Sequence, residues 1–204
     1  EGASMQRDYV CHISHHLADL ESAAAIGTRA GTRAVARLNP GKAPNGKVPV
    51  VLDPRVSGGI VGHLLGAIAG PAIARGTSFL PGKEAQMLFA RRLVIRDEPP
   101  RPRGLRSRAF DAAGLPTAPR DLVADGKITG WLLDTASAKQ LGLSPTGHAS
   151  RGGGASGVGA SNLHLAAGSM TPAALMAGIA DGVYITELSG HGVNPVTGDY
   201  SRGA

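Results

Sequence analysis

The sequence predicts an α+β chain, and three local signals carry that prediction. Asp53-Pro54 follows the apolar run Val48–Leu52 and opens a helix. The Asp carboxylate accepts from free first-turn amides, and a proline at the first helical position loses no hydrogen bond. Asp125-Gly126, a dipeptide suited to two-residue hairpin turns, joins Asp121–Ala124 to Lys127–Asp134 in an antiparallel pair. Thr171-Pro172 repeats the cap-plus-proline signal before an apolar stretch closed by Gly182. Aromatic residues are 3% of the chain, against 30 glycines and 14 prolines, so the core is aliphatic and the connections are tight turns.

Taken in order, residues 1–18 carry Cys11, His12, His15 and His16. His12 and His16 share a helix face, but no acidic third ligand stands at a helical offset, which leaves a metal role weakly supported. Asp19–Leu38 reads as a helix ended by Asn39-Pro40-Gly41. Its Arg29, Arg33 and Arg37 line one face, either solvated or met by an acidic partner. Gly41–Lys47 reads as a linker and sets the expected division into residues 1–47 and 48–204.

Val48–Leu52 is expected as a buried strand. In the helix after it, Val56, Ile60, Val61, Leu64, Leu65 and Ile68 form one apolar face, and Gly58, Gly62, Gly66 and Gly70 recur on the other. A helical glycine costs roughly 1 kcal/mol against alanine. The stripe therefore implies a close backbone or ligand, or tight helix packing without chemistry. His63 reads as a satisfied core or boundary histidine.

Arg75-Gly76-Thr77-Ser78 is a turn, and Leu93–Arg96 a short strand. Asp97–Arg108 holds three prolines and four arginines and reads as an extended surface connection with a solvated Asp97-Glu98 pair. Without interleaved aromatics it is a poor nucleic-acid signal. In the hairpin, Trp131 and Leu133 alternate with Gly130, Leu132 and Asp134, as in a half-buried strand. Thr135–Leu143 is a helix. Thr146–Asn162 is a long loop with His148, Ser150, Arg151 and the run GGGASGVGA, which lacks the Gly-Lys-Ser/Thr of a phosphate loop. Leu163–Leu165 is a strand, Thr171–Asp181 a helix and Val183–Leu188 a strand.

The balance of 21 Lys+Arg against 15 Asp+Glu, a net +6, gives general affinity for anions without specifying a partner. The lone Cys11 excludes an internal disulfide framework. No signal-peptide pattern and no apolar run of about 20 residues is present, so a cytoplasmic setting without membrane contact is expected. Both ends read as cut: Glu1 stands where an initiator Met is expected, and Asp199–Ala204 has no helix or strand to finish it. Cys11 has no identifiable neighbouring base, and a Gly-x-Ser-x-Gly nucleophile turn is missing.

The strings VPVVLDPRV, RGTSFL, RPRGLRSRAFDAAGLPT, GWLLDTASAKQLGL, TGHASRG and GVNPVTGDYSRGA, in this order, resemble the TldD/PmbA family, once called modulators of DNA gyrase, and within it the PmbA (TldE) branch. That resemblance implies that residues 1–47 are the tail of an N-terminal α/β domain and its linker. Residues 48–204 would be a mostly antiparallel, β-rich C-terminal domain with a few packed helices, truncated at its end. The TldD branch resembles a zinc metalloprotease with His-Glu-x-x-x-His on the helix before a Gly-Thr-Ser loop. Anchored on Gly76-Thr77-Ser78, those positions here hold Val61, Gly62 and Gly66, which neither ligate zinc nor accept a proton. The branch's third ligand, a cysteine, would lie beyond Ala204, and Cys11 is too early to match it.

The resemblance thus implies no catalytic residue and no metal on this chain. Zinc would sit on a TldD-like partner in a heterodimer that cleaves unfolded peptides or leader segments. Candidates for the substrate or interface surface are Arg75, Gly76, Thr77 and Ser78, then His148, Ser150 and Arg151, then Asp199, Tyr200, Ser201 and Arg202. Alternatives are a stand-alone metal-dependent hydrolase with other ligands and a DNA- or gyrase-associated regulator.

Overall fold

In the computed structural model, residues 5–42, 45–154 and 156–204 are described. Residues 1–4, Ala43-Pro44 of the expected linker and Ala155 of the glycine run lie outside the described residues. The chain divides into two compact units, Glu1–Lys47 and Val48–Ala204. No helix among the described residues is long and apolar enough to cross a membrane.

In the first unit a 3₁₀ turn, Leu17–Asp19, precedes helix α1, Ala23–Ala36. The helix starts later than Asp19 because Ser22 is the cap, its Oγ accepting from the Ala25 amide at 3.2 Å. Two members of its arginine row have local acidic neighbours: Arg29 pairs with Glu21 at 2.5 Å and Arg37 stands 3.7 Å from Asp8. His12 Nδ1 accepts from the Glu21 amide at 3.1 Å, which commits that ring to the backbone. Among the described residues no group of three His, Cys, Asp or Glu is placed to hold a metal.

The second unit runs β1 (Val50–Leu52), α2 (Pro54–Ala67), α3 (Gly70–Ala74), β2 (Ile95–Asp97), β3 (Arg120–Ala124), β4 (Lys127–Ile128) and α4 (Thr135–Leu141). It continues with β5 (Ala149–Ser150), β6 (Gly157–Val158), β7 (Leu163–Leu165), α5 (Pro172–Ala177), β8 (Val183–Ile185), β9 (Ser189–Val193) and β10 (Tyr200–Gly203). An antiparallel sheet has the order β4-β3-β2-β7, and β5-β6 and β9-β10 are antiparallel pairs. β1 and β8 pair in parallel, with Val50 opposite Val183 and Leu52 opposite Ile185. The fold is α+β with mostly antiparallel pairing.

The α2 start follows the local chemistry: Asp53 Oδ1 accepts from the Arg55 amide at 2.9 Å, and Pro54 is the first helical residue. Asp53 also takes the Tyr184 hydroxyl at 2.8 Å, which ties the helix start to β8. β1 itself is partly exposed, not the buried strand expected, because its two-stranded ladder leaves Val50 uncovered.

The core gathers Ala67, Ile68, Leu80, Leu122, Ile128, Trp131, Leu132, Leu133 and Ala138. At its centre the chain turns from α2 into α3 beside residues 131–133. Leu132 donates its amide to Ile68 O at 3.0 Å, and Gly70 donates to Leu132 O at 2.7 Å. A Cβ on Gly70 would meet Ser137 Oγ, Leu133 and the Leu132 carbonyl at 2.5–2.8 Å, so close packing explains this one glycine of the stripe.

Several expectations change here. The hairpin turn is as expected, with Asp125 at φ +47° and Gly126 at φ +74°. However, β4 ends at Ile128, and Trp131, Leu132, Leu133 and Asp134 are all buried, so the half-buried alternation is absent. The segment leaves the sheet to run through the core, where both sides are covered. The stretch 146–162 is not an open loop, because β5 pairs with β6 inside it. β2 covers Ile95–Asp97, later than the predicted strand, and α5 ends at Ala177, earlier than Asp181. The terminus carries a strand, β10, where none was expected.

Asp97 is fully buried, not solvated. Its Oδ1 accepts from Ser161 N at 2.8 Å and Ser161 Oγ at 2.7 Å, and its Oδ2 lies 3.3 Å from His148 Nε2. Burial alone would raise this carboxyl's pKa, but those donors hold it below the ordinary carboxylate value. The proline- and arginine-rich segment after it is pinned as well, with Arg108 Nη2 donating to Gly159 O at 2.8 Å and Asn162 Nδ2 to Glu98 O at 2.9 Å.

Candidate functional site

The rest of the glycine stripe faces open space. Ideal Cβ atoms built on Gly58, Gly62 and Gly66 meet nothing within 4 Å, so helix packing does not account for them. Gly62 and Gly66 instead form one wall of a groove of about 610 Å³. Its other walls are the turn after α3 and the β9–β10 hairpin.

Local chemistry shapes each wall. Gly76, at φ +67°, reverses the chain after α3, and Thr77 donates its amide to Ala72 O at 2.9 Å while lining the groove. Phe79 then donates its amide to Pro195 O at 3.0 Å, joining this turn to the hairpin. The hairpin tip closes on Asn194, whose Oδ1 accepts from the Val196 and Thr197 amides at 3.0 and 3.3 Å. Gly198 is at φ +84° with the Phe79 ring 3.1 Å from where a Cβ would stand, so both conformation and space call for glycine.

The strands set the rim by period-two alternation. His191 and Val193 of β9 line the groove, as do Tyr200 and Arg202 of β10. His63, from α2, stacks edge-on to Tyr200, with ring centroids 5.8 Å apart and an interplanar angle of 70°. It is an exposed residue, not the core or boundary histidine expected, because α2 turns this face away from the core. Leu64, Ala67, Phe79 and Phe89 supply the apolar floor.

The expected surface residues separate into two groups. Thr77, Tyr200 and Arg202 come together at the groove. Arg75 and Gly76 are exposed beside it in sequence, and Asp199 and Ser201 are exposed on the hairpin, Asp199 accepting from Thr197 Oγ1 at 2.7 Å. Ser78 is buried: its Oγ donates to Ala67 O at 2.7 Å and accepts from Leu80 N at 3.2 Å, which makes it a brace behind the groove.

His148, Ser150 and Arg151 do not line the groove. His148 is buried between Asp97 and Thr146 Oγ1, the latter at 2.8 Å, so its ring is not on a surface. Ser150 pairs with Gly157 in the β5–β6 ladder, and Arg151 is exposed. Sequence reasoning missed His191, Phe79 and Phe89. The alternation in His191-Gly192-Val193 and Tyr200-Ser201-Arg202 was the available signal for two groove-facing pairs.

The positions matched to His-Glu-x-x-x-His, namely Val61, Gly62 and Gly66, have no side-chain donor atom, and His63 is taken up with Tyr200. This donor set does not fit zinc. The groove's polar side chains are those of His63, Thr77, His191, Asn194, Tyr200 and Arg202, with no carboxylate or thiol among the described lining residues.

The family model described as the PmbA/TldA metallopeptidase C-terminal domain matches residues 45–204. Metalloprotease PmbA of Escherichia coli O157:H7 is 37% identical over 204 residues, covering 100% of this chain and 44% of that protein. The PmbA homolog of Haemophilus influenzae is 36% identical over 201 residues, 98% of this chain and 43% of that protein. A solved structure from Thermotoga maritima, described as a modulator of DNA gyrase, superposes with TM-score 0.83 at 28% identity, over 93% of this chain and 44% of that one. TldE from Thermococcus kodakarensis, at TM-score 0.74 and 24% identity over 82% of this chain and 39% of its own, shares the fold. The chain spans less than half the length of the curated relatives it matches. With a family model matched over the whole second unit and end-to-end identity to proteins named PmbA, the chain belongs to the PmbA/TldD metallopeptidase family.

Proposed function

We propose that this chain is part of a TldE/PmbA-like subunit that carries no catalytic metal and pairs with a zinc-bearing TldD-like chain to cleave unfolded peptides or trim leader peptides. Residues 1–47 would end its N-terminal domain, and 48–204 would belong to its C-terminal one. The observation that carries this reading is the α2 face at Val61, Gly62 and Gly66. Where the catalytic branch places two histidines and a glutamate, this helix offers a valine and two glycines, and Gly62 and Gly66 open onto a groove.

The chain's own residues then bind and orient. The glycine stripe admits a peptide main chain, Phe79 and Phe89 contact apolar side chains, and the β9–β10 hairpin encloses the segment. The test is co-expression of full-length versions of this chain and a TldD-like chain, followed by a peptide-cleavage assay. Cleavage by the pair, and little by either chain alone, is the expected result. Full activity from the TldD-like chain alone would overturn the assignment, as would stoichiometric zinc and activity in this chain alone.

A further inference from the structure

The arginine-rich stretch between β2 and β3 is held by more structure than a surface connection requires. Arg101 N donates to Glu98 O at 3.2 Å, Gly104 N to Arg101 O at 3.1 Å and Ser107 N to Gly104 O at 3.2 Å. Arg108 N then donates to Pro99 O at 3.0 Å, so residues 98–108 fold into successive turns whose ends meet. Asn162, just before β7, pins these turns with one side chain. Its Nδ2 donates to Glu98 O and Ser107 Oγ at 2.9 and 2.8 Å, and its Oδ1 accepts from the Arg106 amide at 3.0 Å. Gly104 packs on that side chain, which a Cβ there would meet at 2.7 Å, and Arg103 is held in the left-handed region at φ +55°.

The pinned loop carries positive charge that no local group neutralises. Residues 99–110 contain four arginines and no Asp or Glu. The flanking carboxylates are committed elsewhere: Asp97 is buried on Ser161 and His148, Asp111 is buried on the amides of Ala113, Leu115 and Ala149, and Glu98 faces His164 at 4.0 Å. Arg101 and Arg106 are exposed, and their guanidinium groups have no hydrogen bond or ion pair among the described residues. Arg55 and Arg96, elsewhere in the unit, are matched by Asp53 and Asp121. We infer that this loop docks an acidic segment of another polypeptide, with Arg101 and Arg106 each taking a side-chain carboxylate in a planar fork. Leu105, between the two arginines and 49% exposed, adds apolar contact of the kind protein interfaces use, and no aromatic residue within 99–108 is there to stack on a base. A backbone already fixed in one conformation loses little entropy on docking. None of these residues lines the groove, so the inference stands independently of the groove's role.

The test uses the full-length protein and fluorescence anisotropy with two labelled, amidated dodecapeptides and a labelled oligothymidylate of the same length. One peptide alternates Ser with Glu, and the other alternates Ser with Gln. At low ionic strength the Glu peptide is expected to bind about tenfold or more tightly than the Gln peptide, and the difference to shrink as salt rises. Arg101→Gln/Arg106→Gln is expected to remove most of that preference. Arg91→Gln/Arg92→Gln, which takes the same charge from an exposed turn elsewhere, is expected to retain it.

Equal affinity for the Glu and Gln peptides, or binding of neither, overturns the inference. Equal loss in the two double variants also overturns it, since net charge and not the loop would then attract the peptide. Tighter binding of the oligothymidylate than of the Glu peptide overturns the choice of a polypeptide and marks a phosphate-contacting loop instead. All four replaced side chains are exposed, so circular dichroism is expected to match the parent. If Arg101→Gln/Arg106→Gln does not fold, the single variants carry the same comparison, and failure of both to weaken Glu-peptide binding overturns the inference.

Discussion

Asp53 shows how much one side chain carries. Burial works to raise its pKa, but the Arg55 side chain and amide and the Tyr184 hydroxyl outweigh it and lower the value from 3.8 to about 2. A folded-state pKa below the unfolded one stabilises fully above the unfolded value and is lost as pH falls through the folded one. Asp53 therefore contributes above about pH 4 and ceases to do so between there and about pH 2, with a ceiling of about 2 kcal/mol. Asp53→Asn is expected to lower stability by about 1–2 kcal/mol at neutral pH and to flatten the acid limb, as read from urea midpoints across pH. The capping role was legible in the sequence, since Asp-Pro at a helix start is a local signal. The Tyr184 bond was not, because 131 residues separate the partners.

Gly58 and Gly70 make a paired prediction at the same scale. Gly58→Ala adds a methyl into open space on a helix and is expected to stabilise by up to about 1 kcal/mol. Gly70→Ala drives a methyl into the Leu132 carbonyl and Ser137, and is expected to destabilise by about 1–3 kcal/mol. Opposite shifts of the thermal midpoint check both.

Among the elements, the β2–β7 edge depends on a buried polar cluster that no local pattern announces. Asp97, at the end of β2, holds Ser161 and His148 and so fastens the stretch from β5 to β7 to the sheet. His148→Ala leaves the carboxylate buried with fewer partners and is expected to cost about 3 kcal/mol. It should also raise hydrogen exchange across residues 146–162 more than in α2. Because the Asp97 pKa is lowered, its contribution is present above the ordinary carboxylate range and is lost as pH falls below it. In the hairpin, Gly126 is at φ +74° and its Cβ position is occupied by the Phe89 and Ala90 carbonyls, so Gly126→Ala is expected to destabilise by more than about 1 kcal/mol. That turn was legible from two adjacent residues. The length of β4 was not, because the chain leaves the sheet at Gly130 to enter a core formed by distant segments.

For the whole molecule, the net charge of +6 bears on nucleic acid. The basic stretch 101–108 is folded into turns, with Arg108 bound to Gly159 O and no aromatic residue interleaved within it to stack on a base. Full-length protein is expected to show little DNA binding at physiological salt. A steep linear fall of log affinity with log salt concentration would instead mark a phosphate-contacting surface.

The caps, the Asp-Gly turn and the glycine stripe were determined by the sequence alone, since each rests on contacts within a few residues along the chain. Family membership was also legible there, in six ordered strings. Only the tertiary structure decided what the stripe is for. Gly70 meets the core while Gly62 and Gly66 face a groove, because the β9–β10 hairpin returns more than 120 residues later to stand opposite α2. That return gathers His63, Tyr200 and Arg202 on one rim, and a separate long-range contact, from Asp97 to His148 and Ser161, buries the polar cluster behind β2. Burial and proximity belong to the folded arrangement of distant segments, and local propensity does not encode them.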